Sequence, residues 1–300
     1  MKVKIRIGNE VKEYTGAWED HTLLEVFQEL GITQVHAPCG GNGTCKKCLV
    51  TVEGLGKVLS CQTQCKDDMC VTVAEEQKSA IAENGNCYLY PADAGEGLLA
   101  ACDIGTTTVV CHLLDGATGV RLCTVSAPNA QRSFGADVIS RIQASVDSGL
   151  DKLQSAIVDQ INGMLVQLKQ KAGRTEDIRR LAVAGNTVMS HLFCGLSPES
   201  IGVAPFTPLS LFGESYDAKQ IGIEGCETVY VVPSIAGYVG GDIVADLAAV
   251  QMHSSVLAED GEKETLMLDI GTNGEMVLGK SGSYVCCATA AGPAFEGAEI

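Results

Sequence analysis

The stretch HAPCGGNGTCKKC, residues 36–48, contains three cysteines and three glycines in its last ten positions. Iron–sulfur clusters need thiolates that converge on a small inorganic core, and glycines permit the positive-φ turns of a loop wrapped around it. The thiols of this loop belong to Cys39, Cys45 and Cys48. Cys61 follows at the end of a predicted strand, which is a fixed position near the loop. We therefore expect these four cysteines to hold a [2Fe-2S] cluster.

Two alternatives remain open for this loop. Four cysteines also suit zinc, although zinc sites usually contain two C-x2-C pairs and this segment contains only one. Cys65 and Cys70 also lie near enough in sequence to supply the fourth ligand in place of Cys61. The spacing C-x5-C-x2-C differs by one residue from the plant-type C-x4-C-x2-C, so the loop resembles that class without copying it.

The sequence around the loop predicts a small α+β domain over residues 1–75. Thr22 and Glu25 form a capping box that opens a helix, and Gly31 ends it. Strand, strand, helix, cluster loop and further strands follow one another in the order of a β-grasp ferredoxin. The predicted strands span residues 2–7, 11–15, 49–53, 57–60 and 70–73.

A second, α/β region is predicted after a connector at residues 76–97, whose mixed charges and turn formers favour a linker. Helices are expected at 134–147 and 151–172, after Gly185, and from Gly240 to about residue 252. The predicted strands span residues 98–104, 109–114, 122–125, 178–184, 228–232, 266–270, 275–279 and 284–288.

The tetrapeptide Asp-Ile-Gly-Thr occurs twice, at 103–106 and 269–272, each time at the end of an apolar strand. Backbone N–H groups in such a turn can cradle phosphate, and the aspartate can hold Mg2+ through water. A capped β-turn without a ligand is the alternative for each copy taken alone. A duplicated strand and phosphate turn is typical of a two-lobed nucleotide-binding fold.

The two turns resemble the phosphate loops of the actin–hexokinase–acetate/sugar-kinase ATPase superfamily. Over residues 1–75 and 98–300 the chain is similar to the reductive activators of corrinoid proteins. The resemblance implies a ribonuclease-H-like ATPase domain with its first lobe at 98–255 and the start of its second lobe at 256–300. The strings that carry it are APCGGNGTCKKC, LSCQT, DIGTTTV, QRSFGADVISRI, AGNTVMSHL, GYVGGDIVADL, DIGTNGE and AGPAFEGA.

The same resemblance implies ATP-dependent, one-electron reduction of a Co(II) corrinoid to Co(I) in a partner methyltransferase protein, fed by a low-potential electron donor. Cluster ligation is carried onto the four cysteines named above, and no catalytic residue is assigned. Phosphate and Mg2+ contacts are carried onto Asp103, Gly105, Thr106, Thr107, Asp269, Gly271, Thr272 and Gly274.

Two features depart from the family pattern. The larger members have an additional domain where this chain has only its short connector. The chain also stops soon after the second phosphate turn, so the second lobe is expected to be incomplete. A fragment of this kind should bind ATP poorly, and its partial second lobe should be loosely ordered or should expose apolar surface at 266–270 and 285–291.

Composition restricts the partners and the compartment. The net charge of −16 argues against nucleic acid, because phosphate contacts need Lys and Arg. The start MKVKIRIGNE lacks the apolar core of a signal peptide, and no apolar run is long enough to span a membrane. Fourteen cysteines in a chain of this size favour the reducing cytoplasm. The sequence leaves open whether the chain forms a homodimer.

Other functions also remain open. One is an activator of another low-potential enzyme, like those of the 2-hydroxyacyl-CoA dehydratases, although these hold a [4Fe-4S] cluster between two subunits. A metabolite kinase with an appended cluster would need a sugar or acid pocket. A non-enzymatic ferredoxin with a degenerate ATPase module would not bind nucleotide at all.

Overall fold

The computed structural model divides the chain into two compact units. The first comprises Met1–Ser79 and Ala130–Lys152, and the second comprises Ala80–Asn129 and Leu153–Ile300. The first unit thus includes a segment that the sequence-based division places with residues 98–255. The structure describes residues 1–8, 10–32, 34–35, 37, 39–74, 95–253, 264–280 and 283–290, so most of the predicted connector lies outside it.

The first unit contains a five-stranded sheet in the order β2-β1-β5-β3-β4. Strands β1 and β5 run parallel in its centre, and the other neighbours are antiparallel. This is the predicted β-grasp arrangement, which is therefore confirmed. The strands are β1 (Lys2–Ile7), β2 (Glu10–Thr15), β3 (Leu49–Val52), β4 (Gly56–Leu59) and β5 (Met69–Val73).

Helix α1 (Leu23–Glu29) covers the core of this sheet and begins as predicted. The backbone N–H of Glu25 donates to Thr22 Oγ1, while the Glu25 carboxylate accepts from the Thr22 N–H at 2.6 Å. The helix buries Phe27 in one apolar cluster with Val3 and Ile5 of β1. Cys48, the last residue of the cysteine loop, belongs to the same apolar cluster.

Helix α2 (Val138–Asp147) completes the first unit, and its predicted start at residue 134 is wrong. Asp137 is its N-cap, since the Asp137 carboxylate accepts from Ser140 N at 2.7 Å. The preceding residues, Ala130–Ser133, form a separate 3₁₀ turn. The helix therefore begins where a side chain can satisfy its first free N–H groups.

The second unit contains a six-stranded sheet in the order β10-β11-β9-β6-β7-β8. Strands β6, β7 and β8 form the predicted antiparallel meander, and β6, β9 and β11 run parallel. The short strand β10 was not predicted. The strands are β6 (Leu98–Ile104), β7 (Thr108–Asp115), β8 (Arg121–Pro128), β9 (Ile178–Gly185), β10 (Glu214–Asp217) and β11 (Cys226–Val231).

The helices of this unit bury apolar stripes, as the sequence pattern predicts. Helix α3 (Leu150–Ala172) buries Leu153, Ile157 and Leu165, and Gly173 follows its end at φ +65°. Both helices predicted after α3, one following Gly185 and one starting at Gly240, are present. A one-turn helix between them was not predicted. The later helices are α4 (Thr187–Phe193), α5 (Ala218–Ile221) and α6 (Gly241–His253).

A separate three-stranded antiparallel sheet follows α6 in the second unit. One of its faces packs Met267, Val277 and Cys286 against α6 and Val239. The other face is open, with Leu268 52% and Val285 74% exposed. The expected exposure of apolar surface in these strands is therefore confirmed within the described residues. The strands are β12 (Thr265–Ile270), β13 (Asn273–Lys280) and β14 (Ser283–Ala290).

Candidate functional site

The four predicted cluster cysteines lie in two pairs. Cys39 Sγ is 3.2 Å from Cys45 Sγ, and Cys48 Sγ is 3.2 Å from Cys61 Sγ. Two thiolates that share one tetrahedral metal at about 2.3 Å stand roughly 3.8 Å apart, so each pair is close to the spacing for one shared metal. In the described part of the chain, no three His, Cys, Asp or Glu side chains gather around one point. Two pairs fit two metals with two thiolates each better than one tetrahedral zinc.

The fold holds the second pair rigidly and leaves the first on the loop. Cys48 immediately precedes β3 and Cys61 lies in the 3₁₀ turn Ser60–Gln62 that follows β4, and both side chains are buried. The Ser60 N–H donates to Cys48 O at 2.9 Å, which ties these two segments together. Cys39 and Cys45 are partly exposed. The first pair thus lies on the more accessible side of the loop.

Glycines allow the loop its path between these thiols. Gly41 has φ +89°, and a Cβ there would lie 3.5 Å from Leu24 and 3.8 Å from Cys61 Cβ. Gly43 has φ +73°, and a Cβ there would lie 3.2 Å from the side chain of Gln62. Any larger residue at either position would be strained in this backbone conformation.

Hydrogen bonds favour the thiolate at the first pair. Burial alone raises the pKa of Cys39, but hydrogen bonds from Cys45 and Thr44 outweigh it and lower that pKa to about 6. Burial and the neighbouring Cys48 raise the pKa of Cys61. A thiol must lose its proton to ligate iron, so metal binding would displace the Cys61 proton.

The rival fourth ligands occupy different surroundings. Cys65 is only 2% exposed and is part of the hydrophobic core of the domain. Burial raises its pKa, and the nearby charges are those of the N-terminus, Asp67 and Glu19. Cys70 lies on β5, where it pairs in register with Lys4 of β1. Cys61 is the candidate whose sulfur contacts a thiol of the loop.

The two Asp-Ile-Gly-Thr turns meet within the second unit. Asp103 is the penultimate residue of β6 and Asp269 is the penultimate residue of β12. Thr107 Oγ1 lies 2.8 Å from Thr272 Oγ1. The duplicated segments therefore form one site, with a carboxylate and a glycine turn from each copy.

Two asparagines that sequence reasoning did not assign support the first turn. Asn129 Nδ2 donates to Gly105 O at 2.7 Å, and the Asn129 N–H donates to Thr107 O at 2.9 Å. Asn186 Nδ2 donates to Thr106 Oγ1 at 3.0 Å. Asn186 is also the N-cap of α4. Asn186 lies in the string AGNTVMSHL, which was its only signal in the sequence.

The second turn is organised by backbone contacts. The Gly271 N–H donates to Asn273 O at 2.9 Å. Gly274 lies opposite Ile270 in the β12–β13 ladder. The turn is thus tight enough to bring Thr272 to its partner on the first turn.

Two further carboxylates were missed by sequence reasoning. Asp242 and Asp246 lie one turn apart on α6. Burial, followed by the charge of Asp269, raises the pKa of Asp242 to about 6. The same causes, with Asp242 added, raise the pKa of Asp246. Carboxylates that oppose one another in this way favour a cation between them.

A close backbone approach places α6 at this site. A Cβ on Gly240 would collide with the Asn186 backbone, so only glycine allows the start of α6 to lie against the turn before α4. The signal was present in the Gly-Gly-Asp sequence at 240–242, followed by a second aspartate four residues later. The start of α6 therefore lies against the turn before α4, and Asp242 on this helix lies near enough to Asp269 to be affected by its charge.

This combination defines a class: an iron–sulfur protein whose second region has an actin-like nucleotide-binding fold. The chain belongs to the RACo family, because the family model of the RACo middle region matches residues 98–255. The C-terminal domain of RACo, the ASKHA domain, matches residues 263–300, and a 2Fe-2S iron–sulfur cluster binding domain matches residues 5–76. The resemblance to reductive activators of corrinoid proteins is thereby confirmed at the level of the family.

Individual relatives agree with this assignment. The corrinoid activation enzyme RamQ of Eubacterium limosum is 31% identical over 94% of this chain and 60% of its own length. The [Co(II) methylated amine-specific corrinoid protein] reductase of Methanosarcina barkeri is 28% identical over 67% of this chain and 37% of its own length. The chain thus spans about 60% or less of these relatives.

A solved structure extends the comparison to the fold. The reductive activator for a corrinoid, iron–sulfur protein superposes with a TM-score of 0.60 and 29% identity, over 98% of this chain and 64% of that one. The predicted fold class is therefore confirmed. Among the helices that the structure describes, none is long and apolar enough to cross a membrane.

Proposed function

We propose that this chain acts in the ATP-dependent reduction of a Co(II) corrinoid, carried by a partner methyltransferase protein, to Co(I). The observation that carries the proposal is the presence in one chain of a paired-thiol loop and of two phosphate turns that meet at Thr107 and Thr272. The relatives, which are named as corrinoid activators and as a corrinoid protein reductase, support it.

The thiol pairs support the proposed cluster ligands. Cys39 and Cys45 would hold one iron, and Cys48 and Cys61 would hold the other. When bound, a [2Fe-2S] cluster accepts and releases one electron at a time, which matches the one-electron step from Co(II) to Co(I). The buried pair anchors the cluster in the domain, while the partly exposed pair lies on the side from which an electron can enter or leave.

The phosphate turns assign the nucleotide site. Backbone N–H groups of the two turns would hold phosphate oxygens, apart from that of Gly271, which donates to Asn273 O. Asp103 and Asp269 would hold Mg2+ directly or through water. Asp242 lies near Asp269: burial raises the pKa of Asp242, and the charge of Asp269 raises it further. The contacts are assigned to Asp103, Gly105, Thr106, Thr107, Asp269, Gly271, Thr272 and Gly274.

Nucleotide hydrolysis supplies a driving force that the cluster lacks. Co(I) is a strong reductant, and each 59 mV of unfavourable potential lowers the equilibrium for one electron about tenfold. A nucleotide that binds two conformations with different affinity can hold the partner in the reducible one. ATP and water then give ADP and phosphate, while one electron passes to the cobalt from the low-potential donor through this chain.

The chemistry of the chain indicates its surroundings. Its thiols need a reducing compartment, so we place it in the cytoplasm. The partners are a corrinoid protein and a low-potential electron donor, without nucleic acid, because the net charge is −16. Self-association into a homodimer stays open to measurement by light scattering.

One experiment tests this function directly. The iron-loaded protein, in a version extended to the length of its relatives, is mixed anaerobically with a Co(II) corrinoid protein, a low-potential reductant and Mg2+, with and without ATP. Loss of the Co(II) EPR signal that depends on both ATP and the cluster supports the proposal. Reduction at the same rate without ATP, or transfer of phosphate from ATP to a metabolite, would overturn it.

A further inference from the structure

The side chain of Gln62 lies across the cysteine loop at the end of the 3₁₀ turn Ser60–Gln62. Its Nε2 donates to Gly41 O at 3.0 Å and lies 3.6 Å from Cys61 Sγ. A side-chain amide has two N–H donors, so one group can serve both acceptors. Gln62 therefore connects a loop carbonyl to the sulfur of the residue beside it in the chain.

The glycine at position 43 makes room for this arrangement. A Cβ on Gly43 would lie 3.2 Å from Cγ, Cδ and Nε2 of Gln62. The amide thus packs on the bare backbone of the loop as well as donating to it. A single side chain therefore links the loop, the turn and the sulfur.

A donor to a ligating sulfur affects the cluster it holds. Reduction adds negative charge to the cluster and its sulfur ligands, and hydrogen bonds to those sulfurs stabilise that charge. A donor at Cys61 therefore favours the reduced state and raises the reduction potential. Its removal would make the cluster a stronger reductant but harder to reduce.

We propose that Gln62 is a positioning residue for the cluster, which holds the loop through Gly41 and sets the reduction potential through Cys61. The proposal rests on the assignment of a cluster to this loop but not on ATP or corrinoid chemistry. It names a function for a residue that ligates nothing and lies outside the nucleotide site.

The test is a potentiometric titration of the isolated, iron-loaded protein, followed by EPR of the reduced cluster. The variants are Gln62→Leu, which keeps the size but lacks the donors, and Gln62→Glu, which replaces them with a carboxylate. Gln64→Leu is the matched control, since it makes the same change at an exposed glutamine two residues away.

We expect Gln62→Leu to shift the reduction equilibrium three- to tenfold toward the oxidised state, a midpoint potential lower by about 28–59 mV for one electron. Gln62→Glu should shift it further in the same direction, and Gln64→Leu should leave it unchanged. The leucine variant should also release iron to a chelator faster than the parent, because the loop is no longer held.

Each outcome decides the proposal. An unchanged potential in both Gln62 variants, or an equal shift in Gln64→Leu, would overturn it. If Gln62→Leu does not retain iron, the potential of Gln62→Glu decides in its place. A shifted potential in a protein that fails to reduce Co(II) would refute only the proposed function, whereas normal potentials with intact Co(II) reduction would refute only the role of Gln62.

Discussion

Thr107 and Thr272 are 165 positions apart in sequence, yet their side-chain oxygens lie 2.8 Å from each other. Thr107 directly follows the first copy of the Asp-Ile-Gly-Thr turn, and Thr272 is the last residue of the second copy. Their contact shows that the repeat in the sequence corresponds to two turns that share one site. Most of what can be tested in this chain concerns either that site or the paired thiols.

The hydroxyl contact should be measurable as a coupling energy. Thr107→Val and Thr272→Val each remove a hydroxyl at nearly constant volume. We expect their effects on the free energy of unfolding to differ from additivity by about 0.5–1.5 kcal/mol, the usual net value of one hydrogen bond. Urea unfolding of the two single variants and the double variant gives this number. Thr175→Val makes the same change at an exposed site and is the control. Strictly additive effects of Thr107→Val and Thr272→Val on the free energy of unfolding would show that the two turns do not meet in solution.

Two buried cysteines, Cys61 and Cys65, should differ in their importance for cluster binding. Cys61→Ser should lose most of its iron, because its sulfur is the partner of Cys48, whereas Cys65→Ser should retain about two irons and two sulfides per chain. Iron and sulfide analysis with the visible spectrum measures both. The opposite pattern would reassign the fourth ligand to Cys65, and stoichiometric zinc without sulfide would refute the cluster.

Asp103→Ala, made in a version of the chain extended to the length of its relatives, should reduce ATP turnover but leave the cluster intact. The carboxylate at the end of β6 is the expected holder of Mg2+, and the paired thiols lie in the other unit. ATPase assays and iron analysis on the same preparation check both statements. Turnover equal to that of the parent would refute the Mg2+ assignment.

Asp242 should make stability depend on pH. Its folded pKa of about 6 exceeds the unfolded value of about 3.9. Between these values the folded state binds more protons than the unfolded chain, so stability falls as the pH rises from about 4 to 6 and stays reduced above it. Asp242→Asn should therefore melt about 2–4 °C higher than the parent at pH 7 and equally at pH 4.

Mg2+ provides the second arm of this test. The cation should raise the melting temperature of the parent at pH 7 more than that of Asp242→Asn, since it neutralises the carboxylates that face one another. Scanning calorimetry at two pH values, with and without Mg2+, supplies all four comparisons. An Asp242→Asn variant that is less stable than the parent at pH 7 would show that the carboxylate has a favourable partner.

Local signals in the sequence predicted most of the first unit. Thr22 and Glu25 lie three residues apart, so their capping box could be read directly, and the cysteine spacing indicated the cluster loop. The supporting residues of the nucleotide site could not be found in this way. Asn186 contacts Thr106 across 80 positions, and only the folded chain brings them together.

Short or capped elements account for the remaining errors. Strand β10 and helix α5 have four residues each, too few to show a hydrophobic period. The predicted start of α2 lies four residues before the observed one, because the N-cap that decides the boundary is Asp137. Helix existence was thus predicted from periodicity, and helix ends depended on single side chains.

The two faces of the β12–β14 sheet should respond differently to the same substitution. Val277 is 1% exposed and packs with Val239 and Ile243, whereas Val285 is 74% exposed on the opposite face. Val277→Ala removes two buried methyl groups and should destabilise the second unit by about 1–3 kcal/mol. Val285→Ala should change stability by less than about 0.5 kcal/mol. Thermal unfolding of both variants is the measurement. Equal destabilisation would mean that the open face is covered in solution, and a neutral Val277→Ala would mean that the sheet does not pack on α6.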